Sequence, residues 1–154
     1  MADNIFKIEV EPESAIKGLT NLMLAIKKGS LDGLDKVSDF VAERAILNAP
    51  IKTGALRKSI VGIEAEESTD MGEGYYEAGV IADTPYALRM HEAIYELGPI
   101  SREQPGTPEG GVGNKYFTRV VENRTKDIVD EFTKTLNFYI QAIKPVSIAG
   151  MTSP

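Results

Sequence analysis

Two periods of apolar residues alternate along the chain and predict its elements. Residues 5–10 alternate between apolar and charged positions and predict a short strand with one buried face. Apolar residues then recur every three or four positions, which predicts a helix over 12–28 that Gly29 ends. The same spacing returns near Asp32 and predicts a second helix. That helix stops before Pro50, because proline disfavours helix at the residue before it.

The middle of the chain has the two-residue period of strands. Leu56–Glu66 and Tyr75–Ala82 both alternate, and the polar, glycine-containing run Glu67–Gly74 separates them. This order predicts an antiparallel hairpin. A short helix is predicted over Tyr86–Glu92, because Thr84-Pro85 is a suitable helix start.

The last third combines a long loop with a long helix. Residues 98–114 hold five glycines and three prolines in 17 positions, which predicts a Gly/Pro-rich loop. Helical spacing then continues over Lys115–Ile143, and a C-terminal tail of residues 144–154 follows. The predicted fold class is α+β, within one domain of residues 1–143. In it a small antiparallel β-sheet, made of the N-terminal strand and the hairpin, is packed by two N-terminal helices and one long C-terminal helix.

The composition excludes several kinds of functional site. The chain has 154 residues, no cysteine and one histidine, so disulfides, thiolate catalysis and cysteine-ligated metals are excluded. The net charge of −6 disfavours a phosphate-gripping surface over the chain as a whole. The longest apolar run, Leu22–Ile26, is far shorter than the roughly 20 residues of a membrane span. We therefore expect no membrane segment and no signal peptide, and synthesis and folding in the cytosol.

Three reactive motifs begin in the sequence but are incomplete. His91-Glu92 opens the zinc-protease pattern H-E-x-x-H, but Tyr95 stands where the second histidine is needed. Gly106–Lys115 resembles a phosphate loop, but its lysine is displaced and no Ser or Thr follows it. Ser59 lies in no G-x-S-x-G elbow. We expect no catalytic, cofactor-binding or metal-binding residue. Two alternatives stay open: a small hydrolase centred on His91, and an adaptor whose 98–114 loop folds on a partner.

The densest motif lies between the second helix and the hairpin. Residues 49–60 read Ala-Pro-Ile-Lys-Thr-Gly-Ala-Leu-Arg-Lys-Ser-Ile. The segment resembles the A-P-x-x-T-G-x-L-[RK]-x-S-I signature of the tailed-phage tail-completion family of lambdoid type, also called head–tail joining, neck or minor capsid proteins. The matching positions are Ala49, Pro50, Thr53, Gly54, Leu56, Arg57, Ser59 and Ile60.

The resemblance continues in the same order downstream, over about residues 34–135. The further matching positions are Tyr86, Ala87, Gly98, Pro99 and Phe117, with either Glu92 or Glu96 as the acidic residue of the pattern. The spacing between the Tyr-Ala pair and the Gly-Pro step is longer than in the common form of the family.

The resemblance implies a structural virion protein rather than an enzyme. Such proteins form a homo-oligomeric ring, here expected to be a hexamer, in the phage neck. The ring would join the portal-side connector or stopper proteins to the tail tube, and DNA would pass through its lumen during ejection without specific binding. No cofactor is implied. A tail terminator or another capsid or tail accessory protein is the alternative within the same class.

Two charged features receive roles under this interpretation. We expect the acidic residues around the hairpin turn to face the channel and to repel DNA: Glu64, Glu66, Glu67, Asp70 and Glu73. Arg57 and Lys58 are expected at successive strand positions, with side chains on opposite faces. Arg57 is the candidate for a subunit interface, because the signature keeps a cation there, whereas Lys58 is expected to be solvated.

Overall fold

The computed structural model of the chain describes residues 11–108 and 110–143. The elements within these residues are α1 (Pro12–Asn48), α2 (Ala55–Ser59), β1 (Ile60–Glu67), β2 (Tyr76–Ala82), α3 (Ala87–Glu92), α4 (Pro99–Arg102), α5 (Thr118–Asn123) and α6 (Thr125–Gln141). The α+β fold class is confirmed, with an antiparallel hairpin between a long N-terminal and a C-terminal helix. The strand predicted over residues 5–10 and the tail of residues 144–154 lie outside the described residues.

The prediction of two N-terminal helices is wrong, because α1 runs without a break for 37 residues. Gly29 was expected to end the first helix, but it lies inside α1 and is buried. A Cβ added to Gly29 would stand 3.1 Å from side-chain atoms of Leu136 and Tyr139, and one added to Gly33 would stand 2.8 Å from the Phe132 ring. The two glycines therefore let α6 approach α1 closely, and this packing outweighs their low helix propensity.

α6 runs antiparallel to α1. Phe132 packs at Gly33, and Tyr139, further along α6, packs one turn nearer the start of α1 and donates a hydrogen bond to Asp32. The Lys28 ammonium lies 5.5 Å from the centre of the Tyr139 ring. The C-terminal end of α6 therefore lies beside the part of α1 that precedes Gly29.

The hairpin is confirmed and packs against the same long helix. Gly62 faces Ser38, whose hydroxyl donates to the carbonyls of Ile63 at 3.2 Å and Gly79 at 2.9 Å. The Ala65 amide donates to the Asp35 carboxylate at 2.5 Å. These polar contacts fix the register of the hairpin on α1. Its strands begin at Ile60 and Tyr76, somewhat later than predicted.

The predicted helix over Lys115–Ile143 is divided. α5 ends at Asn123, and α6 begins at Thr125 after Arg124 leaves helical geometry with φ −124° and ψ 20°. No proline or glycine marks this break, and the apolar periodicity continues across it. The sequence therefore carries no signal for the division. The short helix predicted near Tyr86–Glu92 is confirmed as α3.

The buried core sits at the C-terminal end of α1. It joins Ala42, Ala45 and Ala49 of that helix end to Leu56, Ile60, Ala87 and Tyr116. The opposite end of α1 is different. The side chains of Ile16, Leu19, Met23 and Leu24 are 61–70% exposed. One end of α1 is therefore embedded in the core, and the other projects with apolar side chains in contact with solvent.

Candidate docking site at the end of the first helix

The motif segment turns the chain at the C-terminal end of α1. Ala49 leaves the helix in extended geometry (φ −70°, ψ 140°), as the following Pro50 requires. The Arg57 guanidinium returns to this end, with Nε donating to the Ala49 carbonyl at 2.8 Å and a terminal nitrogen donating to the Leu47 carbonyl at 3.2 Å. A cation at this position satisfies free helix carbonyls and complements the helix dipole. Burial lowers the pKa of Arg57.

The prediction that Arg57 and Lys58 occupy strand positions is wrong, because both lie in α2. Gly54 adopts the left-handed region at φ 83°, and its carbonyl accepts from the Lys58 amide at 3.0 Å. This geometry closes one helical turn before β1 begins, and it explains why a glycine is needed in the Thr-Gly step. The Arg57 contacts described above are within the chain, and its contact with another subunit stays a prediction.

The apolar motif residues hold the segment in the core. Leu56 is 4% exposed and Ile60 is 3% exposed, and both belong to the cluster around Tyr116. The Tyr116 hydroxyl donates to the carbonyl of Ala87 at 3.1 Å. Burial, and to a lesser extent the neighbouring Tyr95, raises the pKa of Tyr116 to about 12. The first motif and the Tyr-Ala pair therefore meet in the buried core around Tyr116.

A cavity of about 660 Å³ opens beside the core around Tyr116. Its wall combines the first motif, residues 50–56, with Tyr86 and Met90 and with the segment 95–101 that carries Gly98-Pro99. The structure therefore brings together three motif segments that are separated by up to about 50 positions in the sequence. The lining is mostly apolar, and Ile100 at its edge is 50% exposed. A concave, mostly apolar surface of this volume has the general character of a binding site.

Ser101 fastens the two sides of the cavity together. Its hydroxyl accepts from the Ile51 amide at 2.8 Å and donates to the Ile51 carbonyl at 2.9 Å. Ser101 is 3% exposed and lies in α4, which Pro99 begins. The Gly-Pro step therefore begins the short helix that carries Ser101 and its two hydrogen bonds to Ile51.

Asn48, the last residue of α1, anchors the predicted loop. Its side-chain oxygen accepts from both the amide and the hydroxyl of Thr107, each at 2.9 Å. Its main-chain carbonyl accepts from the Gly113 amide at 2.9 Å. Asn48 is fully buried. The described part of the 98–114 segment is therefore a loop with one short helix, held on the end of α1 by buried polar contacts.

His91 lies at the edge of the core around Tyr116, and its ring contacts neighbouring side chains. Its Nδ1 is 2.6 Å from a Glu92 oxygen, and its ring packs edge-on against Tyr116 with centroids 4.9 Å apart. Glu92 also pairs with Lys115. Lys115 first, and His91 second, lower the pKa of Glu92. The Ser59 hydroxyl donates to the Leu56 carbonyl at 2.8 Å. These contacts support a structural role for both His91 and Ser59.

The remaining predicted residues lie away from the cavity or at its rim. Phe117 packs against the core, with its ring centroid 4.7 Å from that of Tyr116. Glu96 lines the rim of the cavity. Four of the five acidic hairpin residues are exposed: Glu64, Glu66, Asp70 and Glu73. The fifth, Glu67, pairs with Lys27 at 2.9 Å. The Gly74 amide first, and Lys27 second, lower the pKa of Glu67. That the acidic residues face a channel stays a prediction.

Sequence reasoning missed the two polar residues that organise the site, Asn48 and Ser101. Each bonds to main-chain atoms roughly 50 to 60 positions away, so no local pattern marks it. Asn48 directly before the Ala-Pro step was the one visible signal, because a polar residue there can satisfy main-chain groups beyond the helix end.

Comparisons with protein-family models, curated proteins and solved structures give no significant match for this chain. Within residues 11–108 and 110–143, no helix combines the length and apolar character needed to cross a bilayer. In the same residues, no three His, Asp or Glu side chains are grouped so as to hold a metal ion.

Proposed function

We propose that this chain is a structural subunit of the tailed-phage neck. It forms a ring, a hexamer in the simplest case, that joins the portal-side connector to the tail tube and surrounds the path of the DNA. It acts without catalysis and without a cofactor, and its location is the head–tail interface of the virion.

One observation carries the proposal. The three signature segments converge on a single apolar cavity, and their polar residues serve to build its wall. Arg57 donates hydrogen bonds to the carbonyls at the end of α1, and Gly54 permits the turn before α2. Pro99 begins the helix that carries Ser101. A signature that builds an apolar docking surface is what an assembly protein needs, because apolar burial drives protein association.

The charge distribution agrees with a DNA conduit. A net charge of −6 and an exposed acidic hairpin turn give the duplex little to bind, since phosphate affinity comes from neutralising cations. The hairpin is also held firmly, by the Ser38 and Asp35 contacts to α1 and by the Lys27–Glu67 ion pair.

The proposal is tested by electron microscopy of lysates from a phage with a stop codon in this gene. We expect DNA-filled heads beside finished, detached tails, and joined particles once a wild-type copy is supplied from a plasmid. Tails of uncontrolled length would indicate a tail terminator instead. Normal joined particles without the gene product would refute a role in the neck.

A further inference from the structure

Arg119 of α5 carries a cation without a counter-charge among the described residues. Its Nε and Nη2 atoms are shielded from solvent and find no hydrogen-bond acceptor there. The third nitrogen, Nη1, donates to the carbonyl of Gly110. A buried guanidinium without a counter-charge is strongly destabilising, because nothing replaces its lost hydration. A buried polar group that lacks a protein partner is usually met by water or by an ion.

The two unpaired nitrogens of Arg119 form one fork. Nε and Nη2 lie on the same edge of the planar guanidinium and direct their N–H bonds in parallel. This is the edge that binds both oxygens of one carboxylate in a bidentate pair. A carboxylate therefore satisfies both donors at once and supplies the missing negative charge, whereas a water molecule supplies no charge.

Residues 110–113, which we call the glycine segment, lie directly against this guanidinium. A Cβ added to Gly110 would stand 2.8 Å from Nη1, so the close approach requires a glycine there. The position of Gly113 is more open. Beyond its own chain neighbours, a Cβ added to Gly113 would have Nη2 of Arg119, at 3.5 Å, as its one described neighbour within 4 Å. Space of about the size of a methyl group is therefore present beside the unpaired Nη2.

A third buried donor without a described acceptor borders the glycine segment. The side-chain nitrogen of Asn48 is shielded from solvent and unpaired in the described residues. The main-chain carbonyl of Asn48 accepts from the Gly113 amide at 2.9 Å, so Gly113 contacts both Asn48 and Arg119. Unpaired donors thus lie on two sides of Gly113, and this makes the surroundings of the glycine segment favourable for negative charge.

Carboxylates of the neighbouring segments are engaged elsewhere. Glu92 pairs with Lys115 and His91, and Glu96 lies 3.9 Å from Arg102. Burial raises the pKa of Tyr95, and the nearby Arg119 cation acts in the opposite direction. Tyr95 also lines the apolar cavity. The Arg119 fork is therefore close to the cavity wall, without a described carboxylate to pair with it.

We infer that Arg119 and the glycine segment form a binding site for a small carboxylate anion. The two carboxylate oxygens accept from Nε and Nη2, and the space beside Gly113 receives the body of the anion. The anion is small, because solvent-shielded donors leave no path for a large group. A bound anion holds the glycine segment on α5, close to the wall of the cavity.

Thermal unfolding of the full chain tests the site, with sodium formate replacing sodium chloride at constant ionic strength. We expect Tm to rise with formate concentration, because an anion that binds only the folded chain stabilises it. Arg119→Met should lose this rise. Arg102→Met removes an arginine whose side chain is 63% exposed, and this matched control should respond like the wild type. No rise in the wild type, or an equal rise in Arg119→Met, would overturn the inference.

Arg119→Lys separates the fork from the charge. It keeps the cation but cannot make a bidentate pair, so the dissociation constant for formate should rise at least about 10-fold, the loss of one charge-assisted hydrogen bond. An unchanged dissociation constant would contradict a site built on the fork.

Nuclear magnetic resonance of the wild type tests the site without any substitution. The Nε–H signal of Arg119 should shift at the formate concentrations that raise Tm, because Nε donates to the anion. A signal that stays in place throughout the titration would overturn the inference, whether or not the variants fold.

Two other occupants of the fork give different results. Ordered water predicts no formate dependence of Tm or of the Nε–H signal, which overturns the inference. A carboxylate of the chain itself is tested with Glu109→Gln, at a position outside the described residues. If the wild type ignores formate and Glu109→Gln responds to it, the chain fills its own fork and the inference is likewise overturned. Formate responses in both support the site.

Discussion

Asn48 gives the sharpest test of how the docking site is held together. Asn48→Leu keeps the approximate volume of the side chain but removes the oxygen that accepts from the amide and the hydroxyl of Thr107. Both residues are buried, at 0% and 6% exposure, so that water does not readily replace the lost acceptor. The Gly113 contact to the Asn48 main chain should persist. The loop is therefore expected to lose one of its buried attachments while the other remains.

The expected loss of stability follows from the amide and the hydroxyl of Thr107, which lose their acceptor in this variant. A buried donor without a partner costs about 1–3 kcal/mol. Part of this loss is offset, because the Asn48 side-chain nitrogen is itself buried without a partner among the described residues. We expect the free energy of unfolding to fall by about 2–4 kcal/mol. For a chain of this length, that corresponds to a drop in Tm of roughly 4–16 °C.

Urea denaturation measures the loss, and hydrogen exchange locates it. The Thr107 amide should exchange faster in Asn48→Leu, along with its neighbours in the 98–114 loop. Thr107→Val removes one of the two donors. The double variant should therefore be less destabilised than the sum of the two single variants, by about 1 kcal/mol. Asn137→Leu, the same substitution at an exposed position of α6, is the control and should change stability by less than about 0.5 kcal/mol.

Two results would refute this reasoning. If Asn48→Leu were as stable as the wild type, the buried hydrogen bonds would not hold the loop. If stability fell but exchange at Thr107 stayed unchanged, the loss would arise in α1 rather than at the loop contact.

Three further predictions concern the framework around the site. Gly62→Ala should lower the free energy of unfolding by about 1–3 kcal/mol in urea titrations, because the new Cβ would stand 2.4 Å from a hydroxyl oxygen of α1. Gly79→Ala, whose nearest neighbour would be at 3.6 Å, is the control, and equal losses would contradict the close approach. Arg57→Met should cost about 1–2 kcal/mol by losing its bonds to helix carbonyls, whereas exposed Lys58→Met should cost under about 0.5 kcal/mol. Because the pKa of Glu92 is lowered in the folded chain, its stabilising contribution is present above the ordinary carboxyl pKa and is lost as the pH falls through the lowered value. Glu92→Gln should therefore differ from the wild type at neutral pH and converge with it in acid, and a constant difference in Tm across that range would exclude the ion pair as the cause.

The sequence by itself determined the features that depend on local backbone chemistry. Pro50 ends α1 because proline restricts the residue before it, and Pro12 begins the helix where its missing N–H costs nothing. The alternating runs around the polar turn predicted the hairpin, because a strand that is buried on one face needs that period. The α+β class followed from these elements.

Only the tertiary structure decided where local signals were outweighed or absent. Gly29 was expected to end a helix, but it lies inside α1 together with Gly33, because α6 needs the small size of both residues to pack closely. Arg57 looks like a strand residue, but it lies in α2 because the carbonyls at the end of α1 need a cation. In both cases the partner group lies in another element of the fold.

The docking site shows the same division. The signature segments were visible in the sequence as motifs, but that they line one cavity depends on Ser101 and Asn48. These residues bond to main-chain atoms far away in the chain. The helical period also placed Ile16, Leu19, Met23 and Ile26 on one face, yet periodicity does not tell whether that face meets the core or solvent. Local pattern fixes which side of a helix is apolar, and only the packing of distant elements decides what that side contacts.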